Sequence, residues 1–224
     1  MMKRKPTNNY YFSVEGENEK QYFAWLQQTI NNENKRTCNV SFDIKVKKDP
    51  HSYIKSLKVL TPQTIFHITD IEGKSAHDVN VFKNELDAMD EVKKHESNRV
   101  KDYLLGYSNL TFELWMVLQK QAANKHVANK QAYVTMINKA YNKTFIGLSD
   151  LKNAKNFATL LQALTINDVY AGIKRAQTLL DIKIRNNEIL QEYRKYTYYA
   201  NNPALSIHII ISKILKEAGL GHHN

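Results

Sequence analysis

The α/β fold prediction rests first on the sequence YYFSVEGE at residues 10–17, in which an apolar run is closed by two glutamates that flank a glycine. The apolar run predicts a short buried strand. Directly after it, residues 17–31 carry apolar side chains at helical spacing, and this predicts a helix whose inner face is formed by Tyr22, Phe23, Leu26 and Ile30. A strand that leads straight into a helix is the repeating unit of an α/β fold.

The same alternation continues up to residue 108. Residues 40–46 alternate apolar and polar side chains, as a half-exposed strand does, and residues 64–69 and 102–107 form two further apolar strands. Stretches with helical spacing of apolar residues separate these strands. The order β-α-β-α-β-α-β predicts a mostly parallel sheet flanked by helices, because parallel neighbours need a crossover connection over one face of the sheet.

Beyond residue 108 the patterns are helical. Asn109 has the side chain to cap the first of these helices, and the longest helical pattern runs from Asp168 towards Tyr193. We therefore expect two regions, an α/β domain at residues 1–108 and a helical extension packed on it at residues 109–224.

The composition excludes several classes of protein. A hydrophobic fraction of 42% is too high for a disordered chain, and the sequence contains no run of about 18 uncharged apolar residues that could span a membrane. Cys38 is the single cysteine, so neither an intramolecular disulfide nor a cysteine zinc site can form. Because the start also lacks the apolar core of a signal peptide, these features favour a cytoplasmic protein.

The net charge indicates the kind of partner. The 32 Lys and Arg residues exceed the 22 Asp and Glu residues to give a net charge of +10, with a sequence pI of about 9.4. A basic protein attracts polyanions such as nucleic acids, although many basic proteins bind none. The charge therefore favours a polyanionic partner but identifies no chemistry.

Acidic residues follow two of the predicted strands. Glu15 comes directly after the first strand, and Asp70 and Glu72 follow the third, on one face of the extended segment. Because ligands bind at the edge where the carboxyl ends of parallel strands meet, we expect these acids to lie close together. Clustered carboxylates repel one another unless a cation neutralises them, and Mg²⁺ prefers such ligands. The pattern favours a divalent-metal site; solvated loop acids and helix caps are the alternative.

Four segments resemble known families. Residues 14–19, followed by the acids Asp70 and Glu72, resemble the glutamate-glycine turn and the D-x-D motif of the Toprim fold. The sequence SNLTFELW at residues 108–115 resembles the S-N-P-x-F-E-x-W segment of the RloB-like family, and residues 202–208 resemble its N-P-x-x-x-V-H segment. In this order the segments cover most of the chain, which is similar to the RloB-like family as a whole.

The resemblance implies a Toprim-like sheet with a helical C-terminal extension and a nuclease centre that uses Mg²⁺ or Mn²⁺. By position in the motifs, Glu15 would be the general acid/base or a metal ligand, and Asp70 the principal metal ligand. Glu72 takes the second D-x-D position, as a further ligand, and Glu113 is the family's helix glutamate, assigned to the same pocket. The resemblance also implies a role in prokaryotic anti-phage defence, in which such proteins are often encoded beside an ABC- or AAA-type ATPase.

Four basic residues are candidates for contacts with nucleic acid. Lys20 and Lys74 lie beside the acidic motifs. Arg194 and Lys195 belong to a tract at residues 193–199 that mixes bases with tyrosines, as stacking platforms for single strands do. The alternatives are solvated lysines and a helix that packs its tyrosines against the protein.

Two classes of function stay open at this point. One is a metal-dependent endonuclease that cleaves RNA, tRNA or DNA. The other is a subunit with a degenerate centre that binds nucleic acid or docks an ATPase. Primase or topoisomerase chemistry shares the Toprim motifs, but no segment supplies a nucleophilic-tyrosine domain or a zinc finger. The number of copies is not fixed by the sequence, so a homo-oligomer is also left open.

Overall fold

A computed structural model describes residues 5–221; the basic start at residues 1–4 and the His222-His223 pair, which is too short for a metal motif, lie outside the described residues. The first half alternates strands and helices: β1 (Thr7–Val14), α1 (Glu17–Asn32), β2 (Asn39–Val46), α2 (Pro50–Ser56), β3 (Gln63–Ile71), α3 (Ala76–His95) and β4 (Val100–Asn109). This order confirms the predicted α/β class.

The second half is mostly helical and ends with short strands. Its elements are α4 (Glu113–Lys120), α5 (Gln131–Tyr141), α6 (Leu148–Leu151), α7 (Ala154–Gln162), α8 (Ile166–Arg185), β5 (Leu190–Tyr193), β6 (Tyr196–Tyr199), β7 (Ala204–Leu205) and α9 (Ile207–Glu217). Each helix within residues 5–221 is too short or too polar to cross a bilayer.

Five strands form one sheet in the order β2-β1-β3-β4-β7. The first four are parallel, and β7 pairs with β4 in the antiparallel direction. The chain passes from β1 to β2 on one side of β1 and later places β3 on the other side, so the direction of winding reverses between β1 and β3. In parallel α/β sheets, ligands bind outside the carboxyl ends of the strands at such a reversal.

The two faces of the sheet pack against different helices. Phe12 and Phe66, on one face, belong to an apolar cluster with α1, α4 and α9, whereas Ile65 and Tyr103, on the other face, pack with α2 and α3. Successive strand residues point to opposite faces, so neighbours in the sequence enter different clusters. The predicted inner face of α1 is confirmed by the burial of its four residues, Tyr22, Phe23, Leu26 and Ile30.

The first helix of the second half starts later than the sequence suggests. Asn109, expected to cap this helix, is the last residue of β4, and α4 begins at Glu113. The Asn109 side chain instead donates hydrogen bonds to the backbone oxygens of Tyr199 at 3.2 Å and Ala200 at 2.9 Å. The cap prediction is wrong because a segment distant in sequence supplies partners that local pattern does not reveal.

The helical pattern predicted towards Tyr193 stops at Arg185, where α8 ends. Residues 190–199 form a two-stranded hairpin of β5 and β6, so the helix prediction is wrong here. Asn187 and Arg194 adopt positive φ angles of 53° and 55°, a conformation that a right-handed helix cannot contain. The first lies just beyond the helix and the second lies in the turn of the hairpin.

The tyrosines of this hairpin face the protein. Tyr196, Tyr198 and Tyr199 are buried in the cluster that contains α2 and α3. Tyr198 packs edge-on against Phe82 of α3, with ring centroids 5.0 Å apart. The hairpin therefore packs on the same face of the sheet as α3, and these three rings are part of the core.

Candidate functional site

Two of the predicted site acids meet where the winding of the sheet reverses. Glu15 directly follows β1, and Asp70 lies near the end of β3. Val14 pairs with Ile68 in the parallel register, so Glu15 lies opposite the end of β3. The backbone N–H of Asp70 donates a hydrogen bond to Oε2 of Glu15 at 3.1 Å. The two strand ends are therefore joined directly through these acids.

A cavity of about 190 Å³ lies at this edge of the sheet. Acids dominate its lining, which is made of Glu15, Gly16, Glu17, Asn18, Glu19, Asp70, Glu72 and Lys152. A larger groove of about 840 Å³ runs between α8 and α9, and the predicted acids are not part of it. The small cavity, in which the acids converge, is the candidate site.

Glu15 is oriented by a lysine. Nζ of Lys48 lies 2.8 Å from Oε1 of Glu15 and 3.4 Å from Oε1 of Glu85 in α3. The hydroxyl of Thr69 donates to Oε2 of Glu85 at 2.7 Å, which fixes that second carboxylate. Burial alone would lower the pKa of Lys48, but hydrogen bonding and charge from Glu15 and Glu85 raise it above its usual value. Lys48 thus stays charged and holds the Glu15 carboxylate in place.

Asp70 and Glu113 are buried acids. Asp70 is 8% exposed, and Glu113, at the start of α4, is fully buried. Burial, together with the charges of Glu19, Glu15 and Glu113, raises the pKa of Asp70 well above its usual range. The hydroxyl of Thr111 donates to Oε2 of Glu113, while Oε1 has no hydrogen-bond partner among the described residues. Glu113 therefore lies behind the cavity, within electrostatic reach of its acids.

Glu19 is a third buried acid, on the inner side of α1. It is 5% exposed, and burial raises its pKa to about 7, with the charges of Glu113 and Glu15 acting in the same direction. A Cβ at Gly16 would lie 2.8 Å from Oε2 of Glu19, closer than carbon and oxygen atoms normally approach. Gly16 has an extended backbone that any residue adopts, so a larger side chain here would require the carboxylate of Glu19 to shift. We refer to Glu15, Glu19, Asp70 and Glu113 as the acidic cluster.

Lys152 brings a positive charge to the acidic cluster. It lies between α6 and α7, and its Nζ is 3.6 Å from Oε1 of Glu113. Burial acts to lower the pKa of Lys152, but the negative charges of the cluster, with Glu113 contributing most, raise it. The side chain is 42% exposed, so the ammonium lies at the boundary between the buried acids and solvent.

Glu72, which takes the second position of the D-x-D motif, is paired with a lysine of its own. Its Oε2 forms an ion pair with Nζ of Lys130, just before α5, and its side chain is 42% exposed. It lines the same cavity as Asp70 but on the solvent side. Asp70 and Glu72 are therefore brought together, in unequal environments.

The side chains at the cavity are mostly carboxylates, the ligand type that Mg²⁺ and Mn²⁺ prefer. A cation there would oppose the repulsion that, after burial, raises the pKa of Asp70. Two buried atoms of the site, Nδ2 of Asn18 and Oε1 of Glu113, lack hydrogen-bond partners in the described chain. Such atoms mark places where water, an ion or a ligand binds.

The arrangement is open rather than a closed cage. Within residues 5–221, no three His, Cys, Asp or Glu side chains are grouped so that they could hold a metal ion. Mg²⁺ usually takes only one or two carboxylates and completes its shell with waters and substrate phosphates. Glu15 and Asp70 suit that mode of binding, since they adjoin at the edge of the cavity.

The segment SNLTFELW, at residues 108–115, joins the sheet to the helical half. Ser108 pairs with Asp70 in the register of β3 and β4, Phe112 and Trp115 are fully buried, and Glu113 joins the acidic cluster. The sequence model of the RloB-like protein family matches residues 10–214. The chain belongs to the RloB-like family. No curated protein and no solved structure matches the chain.

Two of the basic candidates of this RloB-like chain lie near the cavity. Lys20 pairs with Glu17, a residue of the cavity lining, at 3.3 Å. Lys74 is exposed and follows β3 by a few residues. Both are therefore close to the carboxyl ends of the strands.

The other two basic candidates lie on the hairpin. Arg194 pairs with Asp87 of α3 at 2.5 Å, and Lys195 pairs with Asp102 of β4 at 2.6 Å. Asp102 lies six residues before Ser108, the partner of Asp70, which is about 20 Å along a strand. Lys195 is thus near the opposite edge of the sheet from the cavity.

The sequence analysis assigns no role to two members of this RloB-like site, Glu19, although it ends the motif at residues 14–19, and Lys152, which lies in no motif. Glu19 shares the inner face of α1 with Tyr22, Phe23 and Leu26, so an acid on an apolar helix face was the available signal. Lys152 offers no such signal, because it reaches the acids only through the packing of the helical half.

Proposed function

We propose that this RloB-like chain is an Mg²⁺- or Mn²⁺-dependent endonuclease that hydrolyses phosphodiester bonds in RNA, tRNA or DNA. The observation that carries the proposal is the buried acidic cluster beside the cavity at the reversal of the sheet. Three of its four carboxylates, Glu19, Asp70 and Glu113, are buried, which is costly without neighbouring cations and is typical of sites that bind one.

Asp70, with Glu72 in the same cavity, is the residue that would hold the cation. A divalent cation there supplies neutralisation of the charge that develops on a scissile phosphate. Glu15, held by Lys48, has one fixed orientation and serves as the group that takes or returns a proton at the attacking or leaving oxygen. The net charge of +10 favours approach of the polyanionic strand.

The resemblance to the RloB-like family supports a proposal about the biological role of this activity. We assign the activity to a prokaryotic anti-phage defence system and expect it to be controlled by an ABC- or AAA-type ATPase encoded beside it. Such control explains why a nuclease can be present in a healthy cell without harming it.

The test is a cleavage assay on the purified chain, alone and with the adjacent ATPase and ATP. Labelled tRNA, other RNA and DNA are incubated in Mg²⁺, Mn²⁺ or EDTA. We expect metal-dependent cleavage that falls roughly 10²- to 10⁴-fold in Glu15→Gln and by a comparable factor in Asp70→Asn. Glu91→Gln, an exposed acid on α3, is the matched control and should retain full cleavage.

Undiminished metal-dependent cleavage by Glu15→Gln or Asp70→Asn would show that the acids are not the centre. A second candidate, a nucleic-acid-binding or ATPase-docking subunit, is favoured by one observation: Glu72 is exposed and already paired with Lys130. That candidate predicts no cleavage of any substrate, together with nucleic-acid or ATPase binding that survives removal of both acids.

A further inference from the structure

The acids around the cavity differ in how their charges are balanced. Glu15 is paired with Lys48, Glu17 with Lys20, and Glu72 with Lys130. Lys20 and Lys130 each pair with one acid near the surface, whereas Lys48 is shared by Glu15 and by Glu85 of α3. Each acid of the cavity lining that lies outside the buried group thus has a lysine within ion-pair distance.

The buried members of the cluster share one lysine. The charge of Lys152 acts on Asp70, on Glu19 and on Glu113, and its Nζ is 3.6 Å from Oε1 of Glu113. When ionised, three carboxylates against one ammonium leave a net charge of about −2, which matches a divalent cation.

Lys152 is held loosely. Oε1 of Glu113 is fully buried and has no hydrogen-bond partner in the described chain, so the ammonium lies near it without a bond. Nδ2 of Asn18, 7% exposed and also in the cavity lining, is likewise without a partner. Of the two, only Oε1 of Glu113 is an acceptor that a cation can satisfy, whereas Nδ2 of Asn18 is a donor that suits a water or an anionic oxygen.

The side chain of Lys152 has room to leave. It is 42% exposed, and its backbone lies in the short connection between α6 and α7, so its long stem can carry the ammonium to solvent without moving a helix. The cost of its departure falls on the buried Glu113 carboxylate, which loses its nearest cation unless a bound metal ion replaces it.

We propose that Lys152 is a tethered counter-ion that neutralises the buried acids in the metal-free protein and leaves when a divalent cation binds. This inference rests on the proposed function, and it assigns to Lys152 the control of cation affinity at that site. Since the ammonium and the cation compete for the same carboxylates, removal of the ammonium strengthens cation binding. A ligand-positioning or purely structural lysine would have the opposite effect or none.

The test measures Mn²⁺ binding to the full chain by isothermal titration calorimetry, without nucleic acid. We expect Lys152→Met to bind Mn²⁺ roughly tenfold more tightly than the wild type, and Lys152→Arg, which keeps the charge, to stay within about twofold of it. Lys155→Met, which removes an exposed lysine three residues further on, is the control and should also stay within about twofold. Lys152→Gln repeats the measurement with a polar neutral side chain if the methionine variant folds poorly.

Thermal unfolding supplies an independent readout. In EDTA, Lys152→Met should melt a few degrees below Lys155→Met, because its acids have lost their counter-ion, and saturating Mn²⁺ should raise its melting temperature by more than it raises that of the control. Unchanged or weaker Mn²⁺ binding by folded Lys152→Met and Lys152→Gln, with intact binding by the wild type, overturns the tethered counter-ion alone. Absence of Mn²⁺ binding by the wild type and by both folded variants overturns the metal site of the proposed function as well.

Discussion

At the residue scale, the site is defined by carboxylates that are buried in the protein, away from water. Asp70 and Glu113 are buried to 8% and 0% exposure, and Glu19 to 5%, although an ionised acid strongly prefers water. Burial, together with the charges of neighbouring acids, raises the pKa of Asp70 well above its usual range and that of Glu19 to about 7. In the metal-free protein Asp70 and Glu19 are therefore expected to take up protons near neutral pH that a bound cation would displace.

This proton uptake predicts how stability depends on pH. The pKa of Glu19 is 4.5 in model compounds and about 7 in the folded protein, so the folded state binds more protons between these values. The free energy of unfolding in EDTA should then fall as pH rises from about 5 to 8, and Glu19→Gln should remove up to about 3 kcal/mol of that fall. Urea unfolding at a series of pH values measures this pH dependence of the free energy of unfolding.

Glu17→Gln is the matched control, because Glu17 lies in the same turn of α1 but is exposed and paired with Lys20. It should leave the slope of stability against pH unchanged. The same slope in Glu19→Gln and in the wild type would show that Glu19 is ionised throughout this range.

At the scale of elements, the site is produced by the connections of the sheet. β1 and β3 are neighbours, but the helices that follow them, α1 and α3, pack on opposite faces of the sheet. A crevice therefore opens between the starts of these two helices. The cavity lies there, and basic residues that act on a bound strand should be close to the same edge. The hairpin of β5 and β6 lies near the other end of β4, since Lys195 pairs with Asp102.

This geometry predicts unequal contributions from the four basic candidates. Lys74→Gln should lower the slope of log affinity against log salt by about 0.7 for single strands or 0.9 for duplex DNA, because one phosphate contact is lost. Lys195→Gln should leave the slope unchanged, because its ammonium is already paired with Asp102. Fluorescence anisotropy in EDTA, with single-stranded RNA and duplex DNA as probes, separates the two results.

An equal loss of slope in Lys74→Gln and Lys195→Gln would mean that the bound strand extends along the sheet to the hairpin. The prediction that Arg194 and Lys195 contact nucleic acid would then hold. Arg194→Gln, which removes the pair with Asp87, provides a second probe of the hairpin.

At the scale of the whole molecule, the two halves share one core. β7 pairs with the end of β4, and α9 packs so closely on β4 that a Cβ at Gly106 would lie 2.7 Å from Cδ1 of Ile210 and 2.7 Å from Cδ1 of Ile68. The sheet of the first half is therefore covered on one face by residues of the second.

Shared packing predicts that the halves unfold together. Gly106→Ala should lower the free energy of unfolding by about 1–3 kcal/mol, because the added methyl group forces Ile68 and Ile210 apart, and the chain should still unfold in one transition. Gly147→Ala, where the nearest atom to a Cβ lies 3.8 Å away, is the control and should change stability by less than about 0.5 kcal/mol. Urea unfolding followed by circular dichroism and by tryptophan fluorescence measures both.

Two separate transitions, with only the second shifted by Gly106→Ala, would contradict a shared core. They would instead support the division at residue 108 into an α/β domain and a helical extension. Expression of residues 1–108 alone then becomes the direct test of whether the first half folds by itself.

Periodicity was sufficient for the strands and helices of the first half, because a buried strand and an amphipathic helix each depend on nearest neighbours in the sequence. It failed at Asn109 and beyond Arg185 for the opposite reason. Asn109 is satisfied by backbone oxygens of Tyr199 and Ala200, and the hairpin is held by the burial of its tyrosines, so both depend on contacts across the fold.

The acids of the site divide in the same way, into those that the sequence brings together and those that only contacts across the fold bring together. That Glu15 and Asp70 would meet was determined by the sequence, because each ends a parallel strand and such ends share one edge. Only the tertiary structure decided that Glu19 and Glu113 would be buried beside them. It also decided that Lys152 would supply the positive charge next to these acids. Charge is felt through space, and no pattern along the chain records which distant residues lie within a few ångströms of one another.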